Sequence, residues 1–436
     1  EGVLVQFGGQ TPLKIAKALK ENEVNIFGTS PESIDLTEDR VKFGDILQKL
    51  SIRCPKYGTG VTIEEVVSVA ENIGYPVLAR PSYVLGGRAM EIVYSEKQLI
   101  DYLSRSAEVT DGHPIFIDQF LEDAFEFDVD AISDGKTVYI GAVMQHIEEA
   151  GIHSGDSACV LPPYKITSSA LEQINIITKQ LALKLGVIGL INIQFAYKDG
   201  EVYTLEVNPR ASRTIPFVSK ATNIPLARIA AQVSVGATLD QFELQSWGDN
   251  PHVAVKEAVL PFNKFPNESI FLSPEMKSTG EVMGISKNLG EAFRKACIGA
   301  GNTLPKSGKV FISVNDMDKL DIISIARDFV ELGFKLIGTE NTANVLNKNG
   351  LSTQYIFKVG EGRPSIVDEI KNKKINLVIN TPMGSRSRYD EEAIGRACIR
   401  HGILAVTTLS GANAVLRAIR YTTTSTEVRS LQEYHS

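Results

Sequence analysis

The sequence predicts a multidomain protein of mixed α/β and α+β architecture. The chain is 436 residues long, which is enough for about two to four domains of roughly 100–200 residues. Its opening and closing segments alternate between strand-like and helix-like patterns, whereas strand-like runs follow one another closely in the middle. We therefore expect α/β regions on either side of an α+β block.

The opening segment, residues 1–40, has the pattern of a βαβ unit. Residues 3–7 and 25–28 are strand-like, and residues 12–20 between them have helical spacing. Because such a unit places its strands in parallel, a parallel sheet is expected. A parallel strand so close to the first residue has no neighbour upstream, so we interpret this segment as the remnant of an α/β domain in a longer protein.

A helix and a strand are predicted next. Thr62 and Glu65 have the spacing of a capping box, which begins a helix. Gly74 and Pro76 end that helix, as a left-handed terminus followed by a helix breaker would. A strand follows at residues 77–80.

The segment from residue 41 to residue 301 is predicted to form one α+β domain. Its later strand-like runs occupy residues 115–120, 125–133, 138–145, 191–197 and 202–207. A turn at residues 198–200 joins the last two. The first three of these runs lie close together, which indicates antiparallel pairing. Between them and the last two strands, apolar residues recur with helical spacing at Ile174, Ile177, Leu181 and Leu185.

Residues 302–436 are predicted to form a separate α/β domain, with a linker at residues 304–308. Strand-like runs alternate with helical patterns at residues 310–314, 335–338, 376–380 and 403–407. An apolar stripe of helical spacing, ended by Gly333, comprises Ile322, Ile325, Ala326, Phe329 and Val330.

Composition and charge exclude several classes of function. The formal net charge is −7 and the Lys and Arg residues form no dense stripe, which argues against nucleic acid as a partner. No apolar run reaches the roughly 18–20 residues of a membrane span. The four cysteines share no CxxC spacing, so neither a disulfide framework nor a zinc site is indicated, and reduced thiols in a cytoplasmic protein fit best.

The strongest chemical pattern lies at residues 206–213. Glu206 and Asn208 point to the same side of a strand and offer hard oxygen ligands for magnesium, and Gln194 could supply a third. Arg210 and Arg213 follow, where guanidinium groups could hold phosphate oxygens. The alternative is a strand end with a solvated Asn-Pro turn and surface arginines.

A second pattern could also contact an anion. Gly86 and Gly87 allow backbone N–H groups to approach an anion closely, and Arg80 and Arg88 flank them. The motif is neither a Walker loop nor a GxGxxG fingerprint, so a flexible hairpin is an equal alternative.

Two further segments have open roles. Glu126 alternates with other carboxylates along a strand, which fits recognition of a ribose hydroxyl or a half-exposed strand with one acidic face. His153 lies in a loop of small residues at 151–157, where a surface position is the alternative to a functional one.

These motifs together resemble one known family. The runs at residues 5–12, 38–40, 80–93, 126–130, 151–157, 206–213 and 256–263, and the terminal domain, are similar to the second ATP-grasp half of the carbamoyl-phosphate synthase large subunit. The resemblance spans nearly the whole chain. It implies that residues 1–40 are a truncated pre-ATP-grasp unit, residues 41–301 an ATP-grasp carbamoyl-phosphate synthetic domain, and residues 302–436 an allosteric, methylglyoxal-synthase-like domain with a Rossmann-like fold.

The resemblance also implies an activity and a site. The family's C-terminal half is a ligase that phosphorylates carbamate with MgATP, and it feeds arginine and pyrimidine biosynthesis. Carried over by motif, phosphate contacts fall on Arg40, Arg80, Arg210 and Arg213, and metal ligands on Gln194, Glu206 and Asn208. The remaining nucleotide-site residues would be Gly86, Gly87, Gln119, Leu121, Glu126, Gly151, Ile152, His153 and Ser154. Manganese could replace magnesium, and potassium is a further candidate cofactor.

Effector sites are implied in the terminal domain. The Asp that methylglyoxal synthase uses is missing from residues 381–386, so the domain is expected to be a sensor and not an enzyme. Nucleotide-effector positions fall on Lys319, Thr339, Thr342, Lys358 and Asn380. Positions that bind ornithine in regulated members fall on Glu148, Asp156, Glu257 and Thr407.

The partners expected from the resemblance are the N-terminal half of the large subunit and a glutaminase small subunit, in an oligomeric parent enzyme. Glutamine is the expected nitrogen source and free ammonia the alternative. Two other functions remain open at this stage. One is a fragment that binds nucleotide and effector without turnover, and the other is a different ATP-grasp carboxylase such as biotin carboxylase.

Overall fold

A computed structural model describes the chain except for residues 82–88, 111–113, 250, 262–263, 265–271, 273, 382–387 and 422–426, and except for the side chains of residues 106–110, 149, 249 and 388–392. The chain divides into two compact units. Unit 1 comprises Glu1–Ser154, Cys159–Pro251 and Ser430–Ser436, and unit 2 comprises Gly155–Ala158 and His252–Arg429. The three domains predicted from the sequence are a different division, which stays a prediction.

Unit 1 begins with the predicted βαβ unit. The βαβ unit comprises β1 (Val3–Leu4), α1 (Gln10–Glu21) and β2 (Ile26–Phe27). Two helices follow it, α2 (Pro31–Glu38) and α3 (Arg40–Lys49). The two strands pair in parallel, as predicted, but both are shorter than the apolar runs indicated. A small core containing Val5 and Leu13 closes this part.

A four-stranded antiparallel sheet follows, in the order β3-β6-β4-β5. Its elements are β3 (Tyr57–Gly60), α4 (Ile63–Ile73), β4 (Val77–Pro81), β5 (Glu91–Val93), α5 (Glu96–Thr110) and β6 (Ile115–Gln119). The predicted capping box of Thr62 and Glu65 is formed at the start of α4. Gly74 ends that helix with a positive φ of 90°, although its ψ of 135° lies outside the left-handed helical region that the sequence predicted.

The strand at residues 115–120 was predicted to neighbour the next two runs, and that prediction is wrong. β6 pairs with β3 and β4, because its apolar residues Ile115 and Ile117 pack into the core beneath α4 and α5. Strand-like runs that are adjacent in sequence therefore belong to two different sheets of unit 1.

The second sheet of unit 1 contains the strand order β11-β10-β7-β8-β9. Its elements and the helices that follow are β7 (Phe125–Asp134), β8 (Val138–Glu149), β9 (Cys159–Leu161), α6 (Ser168–Lys184), β10 (Ile188–Lys198), β11 (Glu201–Asn208), α7 (Ile215–Thr222) and α8 (Leu226–Ser234). Helix α6 packs on one face through a core that includes Phe127, Ile177 and Phe195. Short 3-10 turns at Leu239–Gln241 and Trp247–Asp249 and the C-terminal helix α15 (Leu431–Tyr434) complete unit 1.

Unit 2 combines a β-hairpin and helix with a five-stranded parallel sheet. The hairpin and its helix are β12 (Val253–Val259), β13 (Gly280–Ser286) and α9 (Leu289–Gly299). The α/β part contains β14 (Lys309–Val314), a 3-10 turn (Met317–Lys319), α10 (Ile322–Glu331), β15 (Lys335–Gly338), α11 (Glu340–Lys348), β16 (Thr353–Tyr355), α12 (Ile366–Lys371), β17 (Leu377–Thr381), α13 (Arg388–His401), β18 (Leu404–Val406) and α14 (Leu409–Ile419). The sheet order is β16-β15-β14-β17-β18, with every pair parallel.

The strands predicted for this last part are confirmed within about two residues, and β16 was missed because it is only three residues long. Of the predicted apolar stripe of α10, Ile322 and Phe329 are buried, but Val330 is 41% exposed because it lies on the outer side of the helix. Within the described part of the chain, every helix is too short or too polar to cross a membrane.

Candidate functional site

Polar side chains gather on one face of the second sheet of unit 1. Directly opposed residues of antiparallel strands share a face. The cross-strand register of β7, β10 and β11 therefore places six polar residues together: Asp128, Asp130, Asn192, Gln194, Glu206 and Asn208. The other face is the apolar core beneath α6. The sequence predicted Glu206, Asn208 and Gln194 as one group, and the register brings them together.

These three residues could hold a divalent cation. Glu206 is exposed, Gln194 is half-buried, and Asn208 donates from Nδ2 to Glu206 Oε1 at 2.8 Å. The Asn208 Oδ1 atom accepts from Arg210 Nη2 at 3.1 Å. Because the amide nitrogen faces the carboxylate, Oδ1 could join Glu206 on one cation only after the amide turns over. The donor set itself, a carboxylate and two amide oxygens, fits magnesium.

The predicted phosphate-binding arginines follow on a loop, residues 208–214, which we call the arginine loop. Arg210 Nη1 donates to the carbonyl of Ala211 at 3.1 Å. Its Nε atom is buried and has no hydrogen-bond partner among the described residues. A guanidinium N–H without a partner suits an anionic oxygen such as that of a phosphate. Arg213 is exposed.

The sequence missed Asp118, which joins the other two predicted arginines. Arg40 donates to Asp118 Oδ1 from Nη2 at 2.9 Å and Arg80 donates to Oδ2 from Nε at 3.0 Å. Each guanidinium also lies over an aromatic ring, Arg40 over Tyr57 and Arg80 over Phe116. The signal that could have identified Asp118 is an acidic residue inside the apolar run of β6. The carboxylate holds both arginines in place.

A β-bulge connects Arg40 to β11, the strand of the predicted metal ligands Glu206 and Asn208. Gln194 lies opposite Glu206 whereas Phe195 lies opposite Thr204, so Leu205 is the extra residue on β11. The Leu205 carbonyl accepts from Arg40 Nη1 at 2.7 Å. Arg40 is therefore fixed one residue away from Glu206.

Glu126 lies beside the predicted nucleotide loop. Its Oε1 accepts from the backbone N–H of Gly151 at 3.3 Å, and its Oε2 lies 3.3 Å from His146 Nδ1. An added Cβ at Gly151, whose φ is +99°, would come within 2.9 Å of Phe120, so only glycine suits this position. Phe120 stands between Gln119 and Leu121, so the predicted base-binding segment and the loop that Gly151 begins lie together.

The remaining predicted nucleotide residues take several positions. Ile152, His153 and Ser154 are half-buried and follow Gly151 in the loop. Leu121 belongs to a small apolar cluster with Ala196, which pairs with Glu126 across the strands. The backbone N–H of Gln119 donates to the Lys56 carbonyl at 2.7 Å. Gly86 and Gly87 lie outside the described residues.

Strand β7 is not half-exposed, and the alternative interpretation of its carboxylates is wrong. Asp128 is 2% exposed and Asp130 is fully buried, because β8 and β10 flank the strand and the arginine loop covers its polar face. Asp128 Oδ2 lies 2.9 Å from His146 Nε2. Burial lowers the pKa of His146, but the electrostatic influence of Cys159 and hydrogen bonds with Asp128, Cys159 and Glu126 raise it well above its usual value.

Asp128, His146 and Cys159 form a cluster that the sequence did not predict. Their ligand atoms lie within 4.8 Å of one another, and all three are buried. The donor set would suit zinc. Carboxylates already flank the His146 ring on both sides, since Nε2 lies 2.9 Å from Asp128 Oδ2 and Nδ1 lies 3.3 Å from Glu126 Oε2.

Asp130 accepts three side-chain hydrogen bonds. Ser212 Oγ donates to Oδ1 at 2.7 Å, Thr214 Oγ1 to Oδ2 at 2.5 Å and Asn192 Nδ2 to Oδ1 at 3.0 Å. Burial raises the pKa of Asp130 to about 6, although these hydrogen bonds lower it. Asp130 was noted in the sequence only as one of the alternating carboxylates of its strand, because its partners are 62–84 residues away.

The predicted nucleotide-effector residues of unit 2 gather at the carboxyl edge of the parallel sheet. Thr339 Oγ1 lies 3.2 Å from Ser313 Oγ and 3.5 Å from Thr342 Oγ1, and Asn380 lies opposite Ser313 across the strands. Ligands of open α/β sheets bind at this edge. Lys358 is exposed, and Lys319 forms an ion pair with Asp316.

The four predicted ornithine positions are divided between the units: Glu148 belongs to unit 1, and Asp156, Glu257 and Thr407 belong to unit 2. The Asp156 carboxylate accepts the backbone N–H groups of Lys277 and Ser278, each at 2.8 Å. This gives Asp156 a structural role within unit 2, and the expected cation contact stays a prediction.

Comparisons with known proteins cover the whole chain. Family models match residues 39–242 as the carbamoyl-phosphate synthase L chain ATP binding domain, residues 321–407 as an MGS-like domain, and residues 1–36 as the carbamoyl phosphate synthase preATP-grasp domain. The carbamoyl phosphate synthase large chain of Archaeoglobus fulgidus is 53% identical over 100% of this chain and 41% of its own length. The large chain of Aquifex aeolicus, C-terminal section, is 49% identical over 96% of this chain and 81% of its own.

Solved structures resemble the chain in fold. The biotin carboxylase domain of Hydrogenobacter thermophilus 2-oxoglutarate carboxylase matches 66% of this chain and 71% of its own, with a TM-score of 0.55 and 14% identity. The N5-carboxyaminoimidazole ribonucleotide synthetase of Thermus thermophilus matches 66% of this chain and 77% of its own, with a TM-score of 0.51 and 13% identity. The chain spans about two fifths (41%) of the Archaeoglobus large chain and most of the Aquifex section.

Proposed function

Because the chain belongs to the carbamoyl phosphate synthase large-chain family, we propose that unit 1 transfers the γ-phosphoryl group of MgATP to carbamate and so forms carbamoyl phosphate. This would make the chain the carbamate-phosphorylating part of an ATP-grasp ligase. The sequence identity of 53% to the Archaeoglobus large chain supports this family over biotin carboxylase, because the biotin carboxylase domain is only 14% identical and resembles the chain in fold alone.

The observation that carries the proposal is the meeting of oxygen ligands and arginines at the end of β11. Glu206, Asn208 and Gln194 would hold magnesium, which when bound neutralises phosphate oxygens and aligns them. Arg210 and Arg213 follow on the arginine loop, where they would stabilise the charge on the transferred phosphoryl group.

The nucleotide itself would be held by the groups on either side. Arg40 and Arg80, fixed by Asp118, would contact the phosphates, and Glu126 the ribose. The remaining nucleotide contacts would come from the segment around Gln119 and Leu121, from residues 151–154, and from Gly86 and Gly87. Manganese in place of magnesium, and potassium, are further proposals.

The reaction needs no general base from the protein. The attacking oxygen of carbamate is already an anion, so it forms the new P–O bond without giving up a proton, and ADP leaves with the electron pair of the broken bond. The barrier is then lowered mainly by in-line positioning and charge stabilisation. Arginines, amides and a carboxylate that can hold a metal fit that chemistry.

The wider assembly is proposed from the relatives. We infer an N-terminal half of the large chain as a partner, because the chain matches a C-terminal section in Aquifex aeolicus. A glutaminase small subunit, glutamine as nitrogen source, an oligomeric enzyme and a place in arginine and pyrimidine biosynthesis follow from the family resemblance. All four cysteines are thiols, which favours a cytoplasmic location.

Control by effectors is proposed for unit 2. The hydroxyls of Thr339 and Thr342 and the amide of Asn380, together with Lys319 and Lys358, suit a nucleoside monophosphate, because hydroxyl, amide and ammonium groups donate to phosphate. The family resemblance also proposes contacts with an ornithine-type cation for Asp156, Glu257 and Thr407 of unit 2, and for Glu148 of unit 1.

The test is ATP formation from carbamoyl phosphate and MgADP, which uses only this site. We expect Glu206→Gln to abolish activity because the amide removes the charge that holds the metal. Glu201→Gln, at the other end of β11 and paired with Arg53, is the matched control and should retain wild-type turnover. Equal rates in Glu206→Gln and wild type would refute the metal assignment. A folded but inactive wild type would favour the binding fragment without turnover.

A further inference from the structure

The arginine loop is tied down near its start by Gln6. The side-chain Nε2 of Gln6 donates to the carbonyl of Pro209 at 2.7 Å. Its backbone carbonyl accepts the N–H of Ala211 at 2.9 Å. Gln6 is fully buried, so water does not compete for these hydrogen bonds. The N-terminal βαβ unit therefore fixes the first half of the loop.

Asp130 ties down the second half of the loop. Its carboxylate accepts from the hydroxyls of Ser212 and Thr214, the residues on either side of Arg213. The third hydrogen bond, from Asn192, anchors the carboxylate to the neighbouring strand β10. Burying a carboxylate costs free energy unless its acceptors are matched. Here the three donors match the carboxylate, and the hydrogen bonds fix the positions of Ser212 and Thr214 in the loop.

We propose that Asp130 is a positioning residue for phosphoryl transfer, which holds the arginine loop through the Ser212 and Thr214 hydroxyls and so sets the place of Arg213. The inference rests on the proposed function for the identity of the reaction. Asp130 lies beneath the loop and makes its contacts with the loop hydroxyls and Asn192.

The kinetic consequence is a loss of turnover without a matching loss of nucleotide binding. Asp130→Asn has nearly the same shape, but only its amide oxygen can accept a hydrogen bond. That oxygen suits the Oδ1 position, where Ser212 and Asn192 both donate, so the hydrogen bond that is lost is the one from Thr214 to Oδ2. We expect kcat for ATP formation to fall at least about tenfold, because small displacements of catalytic groups cost that much or more. The KM for MgADP should stay within about threefold, since Arg40 and Arg80 are held separately by Asp118.

Two further variants separate positioning from a general structural effect. Thr214→Val removes the same contact from the loop side and should lower kcat in the same way. The double variant should be little worse than Asp130→Asn alone, because both changes break one interaction. Asp134→Asn is the control, because Asp134 lies at the far end of β7, where its carboxylate accepts the backbone N–H groups of Thr137 and Leu239. This variant should leave kcat unchanged.

Hydrogen exchange of the loop amides gives a readout that does not depend on activity. Faster exchange at residues 210–214 in Asp130→Asn and Thr214→Val, with a lower kcat and a retained KM, is the expected result. Unchanged loop exchange, unchanged kcat despite a loosened loop, or an additive double variant would each overturn the proposal. If wild type makes no ATP while the loop loosens in both variants, the proposed reaction fails and the positioning of the arginines stands.

Discussion

Asp118 is a single buried carboxylate on which two arginines depend. Its side chain is 9% exposed, and that of Arg40 is 10% exposed. Removing one partner of a buried ion pair leaves a charge uncompensated, which typically costs about 3–5 kcal/mol. We predict that Asp118→Ala lowers the free energy of unfolding by this amount and raises the KM for MgADP, as urea denaturation and the ATP-forming assay would measure.

The control for Asp118 is the exposed pair of Arg53 and Glu201, whose side chains are 52% and 46% exposed. Exposed ion pairs contribute about 0–1 kcal/mol. Glu201→Ala should therefore leave the urea midpoint nearly unchanged. Equal destabilisation by the two variants would show that Asp118 does not organise the arginines as described.

Asp130 should make stability depend on pH. Its pKa is raised from 3.8 to about 6 by burial, so between these values the folded protein keeps a proton that the unfolded chain has released. The free energy of unfolding therefore falls as pH rises through this window, by about 3 kcal/mol in total. Asp130→Asn lacks this loss, so its stability relative to wild type should increase by that amount between about pH 4 and pH 7. Parallel urea-denaturation profiles for the two proteins would contradict the assignment.

What the sequence could predict at residue scale was local. Glu206 and Asn208 are two residues apart on a strand, so their shared face follows from the period of a β-strand alone. Asp118 was missed because its partners Arg40 and Arg80 are 78 and 38 residues away in sequence. Such contacts are created by the sheet register, which no local pattern reports.

At the scale of elements, glycine decides how closely a helix can approach a strand. An added Cβ at Gly284 on β13 would lie 1.9 Å from the carbonyl oxygen of Ala292 and 2.5 Å from the backbone nitrogen of Ala296, both in α9. Backbone atoms cannot move aside as the end of a side chain can. We predict that Gly284→Ala separates β13 from α9 and lowers the free energy of unfolding of unit 2 by at least about 1–3 kcal/mol.

Gly280 provides the control on the same strand. An added Cβ there meets nothing within 4 Å among the described residues. Gly280→Ala should leave the urea transition near that of wild type. If both variants unfold at the same denaturant concentration as wild type, β13 and α9 are not packed at van der Waals contact through Gly284.

Element type was predictable where pattern and length agreed, and pairing was not. The apolar stripe of Ile174, Ile177 and Leu181 predicted a helix, which the structure confirms as α6. Apolar residues that recur with helical spacing over several turns can be buried together only in a helix. The strand of residues 115–120 was recognised as a strand but assigned to the wrong neighbours, because pairing depends on which core accepts Ile115 and Ile117.

At the scale of the molecule, the main boundary between the two units lies between Pro251 and His252, whereas the sequence indicated a linker at residues 304–308. Unit 2 includes β12, β13 and α9, whose first residue is Leu289. Helix α9 packs on α14, where an added Cβ at Gly290 would lie 2.7 Å from the carbonyl oxygen of Arg417. Helix α14 is buried on several sides, so the parallel sheet alone does not cover it.

Two fragments test this division of the chain. A fragment of residues 302–429 lacks α9, so it would expose the side of α14 that α9 covers, whereas a fragment of residues 252–429 keeps that contact. We predict that the longer fragment unfolds in one cooperative urea transition at a higher midpoint, and that the shorter fragment binds more of a hydrophobic dye. Equal midpoints would place the boundary at the linker instead. The hairpin and α9 would then belong to the ATP-grasp domain, as the sequence analysis expected.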